Sequence, residues 1–425
     1  MQELQRVFNG LGIKGTVIRK TEGCRIITYE FKMHNGLLPP GINRILSAIK
    51  IQLGVESVKL IEVPESNAYG IEVECKERKT VKIGDVMRSR EYTEDKRRLK
   101  FILGETPKGK KIVGSLVDAK HLLVAGQTGS GKSVFINTLL ASLMRESPDR
   151  TRLILIDPKR VELSRYKDVP HLLAPVITEV DQAKNILEWL ANKHMPYRYK
   201  YLEEASGIIG KSYVDLKDME EDEDKGEIRM VGDPLMPRFV IVIDELAQLL
   251  MTSEDRCIED SIIKIAQLGR ACGIHLVVAT QRPSADIVTP QIKANIPTKV
   301  AFKVSTGSNS RIILDNMGAE KLLGRGDMLY LQEDYFEPKR IQGAFISSEE
   351  VDRLVRNLKD NNDPPDYWQD ALAAIYGIHR FADILQELSD NGPPGSVDNF
   401  INHMVDKGLI ILDYETKTMK FAHLQ

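Results

Sequence analysis

Cysteine is scarce in this 425-residue chain: Cys24, Cys75, Cys257 and Cys272 are scattered, with no Cys-x-x-Cys pair. That spacing excludes a disulfide framework and a cysteine-rich zinc module, and it fits a reducing compartment. Long apolar runs are missing too. No stretch approaches the ~20 residues that span a bilayer, and the start MQELQRVFNG lacks the apolar core of a signal peptide, so the chain as given is not expected to be membrane-embedded. An excess of positive charge is also lacking, since 59 Lys and Arg face 61 Asp and Glu for a net charge of −2. A globally basic nucleic-acid binder is thereby excluded, although local basic loops on a neutral body are not. There is no internal repeat.

What is present describes a soluble globular protein, 42% hydrophobic and 28% charged, long enough for two or three domains. The first hundred residues alternate β-like runs, GTVIRK, RIITYEF, SVKLIEV and YGIEVEC, around one helical stretch, INRILSAIKIQL, which predicts a small α+β domain over residues 1–100. Between residues 101 and 347 the buried-strand runs LLVA, RLILI, FVIVI, HLVVA and KVAFKV recur with helices between them, the pattern of an α/β domain with a parallel sheet. The acidic run DLKDMEEDEDKGE, residues 215–227, shows no apolar face and is expected to be a solvated loop or disordered insertion. The segment 348–365, with NNDPPD, reads as a linker, and residues 366–425 as a small unit ending in two β-like runs around a polar turn, a layout compatible with a winged helix.

The chemistry centres on GQTGSGKS, made of Gly126, Gln127, Thr128, Gly129, Ser130, Gly131, Lys132 and Ser133, between the strand LLVA and the helix VFINTLLASLM. Glycines in this pattern let consecutive backbone N–H groups and a helix N-terminus wrap a polyphosphate; Lys132 would reach the β- and γ-phosphates and Ser133 would ligate Mg²⁺. Downstream, FVIVIDEL ends a strand in Asp244, which would hold Mg²⁺, and Glu245, which would orient or deprotonate the attacking water. Gln281, at the tip of HLVVATQ, is a candidate γ-phosphate sensor. Arg270 is a candidate finger inserted into a neighbouring subunit's site, a role worth ~10³ to 10⁵ in rate, with Arg311 a second interface candidate. Asp157, Lys159 and Arg160 share another strand tip without an assignable role. His121, His171, His194 and His275 stand apart from any ligand pattern and read as structural, so no metal beyond Mg²⁺ is indicated.

Taken in order and spacing, HLLVAGQTGSGKS, LILIDPKRVELSRY, VIVIDELAQLLM, GIHLVVATQRPS, IKANIPTKVAFKVS and GAEKLLGRGDMLYL closely resemble the FtsK/SpoIIIE DNA translocases. The resemblance is strong over residues 101–347 and extends in layout to residues 1–100. It implies a RecA-like P-loop ATPase core using ATP and Mg²⁺, assembled as a homo-hexamer that threads double-stranded DNA through its centre. It implies that Lys132, Ser133, Asp244 and Glu245 serve the nucleotide, that Arg270 acts on the adjacent subunit, and that Arg282 and Lys293 face the channel, where cations can grip phosphates of any sequence. Gly307 and Ser308 stand where relatives often place more charge, with Lys299 and Lys303 as candidates to compensate. Members of this family commonly begin with a membrane region and linker, so the chain is expected to be a soluble form or an excised motor, cytoplasmic and peripheral to the membrane if paired with an anchored form. The C-terminal unit lacks the family's basic recognition-helix wording, and contact with DNA or with a protein partner both stay open there. Two rivals remain: a related ATPase of a conjugation or protein-secretion system, and a scaffold that binds ATP without turning it over, which the paired acids argue against.

Overall fold

The computed structural model describes residues 1–39, 41–55, 57–75, 79–225, 236–253 and 256–358, together with two short strands at 410–413 and 418–421. The first 74 residues form a four-stranded antiparallel sheet in the order β1 (Gly15–Glu22), β2 (Ile26–Met33), β4 (Ala68–Glu74), β3 (Val58–Val63). Two helices, α1 (Gln2–Gly10) and α2 (Ile42–Leu53), cover it. Leu4 and Phe8 of α1 and Ile49 and Leu53 of α2 meet Tyr29, Phe31 and Ile71 of the sheet in one small core. The expected α+β unit is therefore present, with α1 as an element that periodicity did not single out.

A nine-stranded sheet follows, ordered β6 (Lys111–Ser115), β5 (Lys100–Glu105), β13 (Lys339–Gly343), β12 (Asp327–Leu331), β11 (Thr298–Phe302), β7 (Leu122–Ala125), β10 (Ile274–Thr280), β9 (Arg238–Ile243), β8 (Thr151–Ile156). The five runs anticipated as buried strands are β7 to β11, and their pairings with one another are all parallel. Alternate residues feed opposite faces. Leu123, Ile154, Ile241 and Leu276 enter one core, while Leu122, Leu153, Val240 and Val277 enter the other. Burial on both faces explains why these strands read as continuous apolar runs rather than alternating ones. Beyond β11 the sheet turns antiparallel through β12, β13, β5 and β6, an extension absent from the expected parallel layout. Val81, Ile83, Val86 and Tyr92, from the charged stretch ahead of β5, pack into the same core as Phe101 and Ile102.

The acidic run differs from expectation. Leu216–Lys225 is a helix with Leu216, Met219, Glu220 and Asp222 buried. Three arginines hold its acids: Arg238 is bidentate to Glu220, Arg150 meets Glu223 at 2.6 Å and Arg98 meets Asp224 at 2.6 Å. Spread along the chain, these partners could not be paired by reading the acidic segment alone. Of the C-terminal unit, β14 (Ile410–Asp413) and β15 (Thr418–Phe421) pair antiparallel, and the expected turn at 414–417 lies outside the described residues. Of the expected linker, Ser348–Asn357 is a helix capped by Ser347, while 359–365 and residues 366–409 of the proposed winged helix lie outside the described residues.

Candidate functional site

The tips of β7, β8, β9 and β10 converge on the phosphate-loop sequence. From β7 the chain enters the loop and then the helix Lys132–Leu143, whose N-cap is Gly131 with φ +114°. A side chain cannot be accommodated there for a second reason: a Cβ would lie 2.4 Å from the Gly326 nitrogen. Gly326 N–H in turn donates to Ser130 O at 2.7 Å, so the loop is backed by the turn that enters β12. Gly126 N–H donates to Thr280 O at the end of β10, and Gln127 N–H to Lys303 O just after β11.

Lys132 is buried, with Nζ 2.7 Å from Asp244 Oδ1 and 2.9 Å from Asp244 O at the end of β9. Asp244 Oδ2 is also buried and has no hydrogen-bond partner among the described residues. Glu245 beside it is buried and fully engaged. Its Oε2 meets Lys159 Nζ at 2.7 Å, its Oε1 accepts from the Thr280 hydroxyl at 2.7 Å, and Gln281 N–H points at both oxygens from 3.2 Å. The Gln281 side chain accepts from Thr128 Oγ1 at 2.9 Å. Lys132, Asp244, Glu245, Gln281 and Thr128 are thus one connected cluster.

The trio at the β8 tip separates into three jobs. Asp157 accepts from the backbone N–H groups of Val161, Glu162 and Leu163 at 2.9 to 3.0 Å and so builds its own loop. Lys159 joins the site, and Arg160 pairs with Glu179 on the surface. Arg270 is not in the cluster. It is exposed ahead of β10, at the end of the sheet opposite the phosphate loop, and the seven residues of β10 span roughly 23 Å at ~3.3 Å each. Arg282 is exposed immediately after Gln281, near Asp286 at 3.4 Å and Met251 Sδ at 3.3 Å. Lys293 lies on the helix Pro290–Asn295, its ammonium on Asp315 at 2.6 Å and Arg311 O at 2.9 Å. Lys299, on β11, is half-buried, and burial holds its ammonium below the ordinary lysine value. Gly307 and Ser308 open the helix Gly307–Leu314, and the exposed Arg311 lies on the same helix.

His275 and His121 are held in the interior. His275 Nδ1 lies 2.7 Å from Lys120 O and its Nε2 3.0 Å from Arg238 Nη1. Arginine only donates, so Nε2 accepts and Nδ1–H donates, which fixes the neutral ring. Burial, with Arg238 beside it, drives its pKa well below the usual value, and burial lowers His121 to about 4.

A cavity of ≈ 550 Å³ opens from the phosphate loop, the size of a small-molecule site. Its walls include residues the sequence reading missed: Arg25, Lys79, Thr80, Gln342 and Phe345. Arg25, immediately before β2 of the N-terminal sheet, donates to Gly324 O at 2.7 Å and Gln342 Oε1 at 3.1 Å. Arg340 of β13 bridges Asp327 and Glu72 of β4. These contacts seat the N-terminal sheet against the cavity, and their sequence separation left no local signal.

A family model for FtsK/SpoIIIE matches residues 82–285, and one for the FtsK alpha domain matches residues 1–74. The chain belongs to the FtsK/SpoIIIE family. It is 41% identical over 360 residues to the DNA translocase FtsK of Clostridium tetani, covering 84% of this chain and 47% of that protein. To the DNA translocase FtsK of Clostridium acetobutylicum it is 40% identical over 376 residues, 88% of this chain and 48% of the relative. The chain therefore spans about half the length of these curated relatives. Among solved structures, the pCW3 conjugation coupling protein TcpA, monomer form with ATPγS, superposes with a TM-score of 0.57 at 23% identity, covering 84% of this chain and all but 1% of TcpA. That likeness is one of fold. Within the FtsK/SpoIIIE family the nine-stranded unit is a P-loop ATPase domain, and no helix among the described residues is long and apolar enough to cross a membrane.

Proposed function

We propose that this chain is the motor of an ATP-driven double-stranded DNA translocase, hydrolysing ATP at the subunit interfaces of a hexameric ring and moving duplex through its centre. The observation that carries the reading is the junction at Gln281 and Arg282. Gln281 is tied to Glu245 by its backbone and to the phosphate loop by its side chain, and the next residue is an exposed cation. A change at the nucleotide is thereby one peptide bond from a group that can hold a DNA phosphate. The names of the relatives at about 40% identity support DNA as the substrate over an export cargo.

The residues fit Mg²⁺ and a triphosphate. The buried, unpartnered Asp244 Oδ2 suits a cation, with Ser133 as second ligand, and the backbone of residues 126–133 suits phosphate oxygens. Bound Mg²⁺ would supply charge neutralisation at the β- and γ-phosphates. Lys132, drawn to phosphate, releases the Asp244 carboxylate it now pairs with. Glu245 orients the attacking water through the oxygen that Lys159 now occupies, so Lys159 sets the acid's position. Arg270 lies too far from its own phosphate loop to serve it, which supports action on a neighbouring copy.

The experiment is ATP turnover with and without duplex DNA, combined with displacement of a triplex-forming third strand. Duplex-stimulated turnover with strand displacement is the expected result. Turnover indifferent to duplex, with no displacement, would sink the DNA reading and leave a secretion-type ATPase.

A further inference from the structure

The phosphate loop fixes one end of the ≈ 550 Å³ cavity, and the other walls come from residues 79–81 and from the end of β13 with the two residues beyond it. Phe345 stands out there. Its neighbours Ala344 and Ile346 are 3% and 7% exposed, whereas Phe345 is 43% exposed and lines the cavity. Among the described residues it is the one large apolar side chain that is both this exposed and part of this cavity wall. Its backbone is held in place, since Phe345 N–H donates to Val81 O at 2.7 Å and Phe345 O accepts from Ile83 N–H at 3.0 Å. With Ala344 and Ile346 turned into the core, the alternation of an extended segment keeps the Phe345 ring outward. An aromatic ring left facing a small-molecule cavity suits a flat apolar ligand part.

We infer that Phe345 is the stacking platform for the base of the bound nucleotide, with Lys79 and Thr80 at the rim of that end. The inference rests on the reading of the phosphate loop as an ATP site and adds where the base goes. It makes the base end a joint structure, because residues 79–81 connect the N-terminal sheet to the ATPase domain while Phe345 follows β13. Gln342, which shares the wall, is held by Arg25 Nη1 on its Oε1 and donates through Nε2 to Arg325 O at 3.1 Å, so its amide has a fixed orientation. Stacking recognises any base by its face, so the platform favours nucleotides as a class over inorganic polyphosphate.

The test separates the two ends of the ligand in the full chain. Affinities for Mg·ATP and for Mg·tripolyphosphate are measured calorimetrically on wild type and Phe345→Ala, with Phe345→Trp as the aromatic replacement. Phe345→Ala is expected to weaken ATP about tenfold, the scale of one base–aromatic stack, and to leave tripolyphosphate affinity within about twofold, well inside the tenfold step that 1.4 kcal/mol represents. Phe345→Trp is expected to retain ATP affinity and to show a fluorescence change over wild type on adding ATP but not tripolyphosphate. Equal ATP affinity in wild type and Phe345→Ala overturns the inference, and so does an equal loss of both ligands, which would mark Phe345 as structural. Failure of the wild type to bind either ligand would instead remove the underlying nucleotide reading.

Discussion

Lys159 Nζ lies 2.7 Å from Glu245 Oε2, joining the tips of β8 and β9 across a carboxylate that is only 4% exposed. A buried acid held by an ammonium on one oxygen and by Thr280 and Gln281 on the other is oriented before any ligand arrives. Glu245→Gln should bind ATP normally and lose ~10² to 10⁴ in turnover, the usual scale for a positioned base. Lys159→Ala should lower kcat by a smaller factor with KM little changed, because the acid remains but its orientation is relaxed. Steady-state kinetics on both variants checks this, and near-normal turnover in Glu245→Gln would remove it from the chemistry.

Arg270 and its own phosphate loop sit at opposite ends of β10. Mixing Arg270→Ala subunits with Lys132→Ala subunits should therefore restore part of the hydrolysis that each lacks, since some interfaces then carry an intact loop and an intact arginine. Titrating the mixing ratio while following phosphate release reads this out. Silence at every ratio would count against action between subunits.

Replacing Arg282 and Lys293 together by Ala should weaken duplex stimulation and lower the steepness of its salt dependence, each lost phosphate contact reducing the slope by ~0.9. Basal ATPase should persist. Lys293 also ties its helix to Asp315, so Asp315→Ala serves as the control that breaks the ion pair while keeping the cation. If that variant alone reproduces the double substitution, the lysine acts through structure.

Acid should destabilise the ATPase domain before any surface carboxylate is protonated. His121 is lowered to about 4 and His194 and His275 lie well below 6.5, in each case chiefly through burial. Unfolded histidine takes a proton near pH 6.5, so this contribution is complete above pH 6.5 and is lost as pH falls through 6.5 towards the folded values. For His121 the full amount is on the order of 3 kcal/mol, at ~1.4 kcal/mol per pH unit. Urea denaturation at pH 7 and pH 5 should show a large fall in midpoint, and His121→Gln should flatten part of it. A midpoint indifferent to pH would contradict the neutral, buried assignment.

The parallel half of the sheet was legible because burial on both faces writes each strand as an unbroken apolar run, from Leu122 in β7 to Phe302 in β11. The antiparallel half was not, since β13 reads KRIQG and owes its place to partners in β12 and β5. The acidic helix was misread for a related reason. Its anchors Arg98, Arg150 and Arg238 come from three separate strand ends, and its own sequence offers only Leu216 and Met219 as apolar contacts. At the site, residues within a motif announced themselves, as Lys132 and Asp244 did. Lys159 was visible but unassignable, and Arg25, Gln342 and Phe345 were silent, because a cavity wall assembled from distant segments has no spacing to detect.

Gly131 lies so close to the Gly326 backbone that a Cβ on Gly131 would run into it. The phosphate loop is in this sense a bipartite motif, one half spelled out by GQTGSGKS and the other supplied by a turn far downstream. A fragment ending at residue 285, where the family model ends, would keep every letter of the first half and lack β11, β12 and the second. Its motif would be whole while its anion cradle had lost its backing.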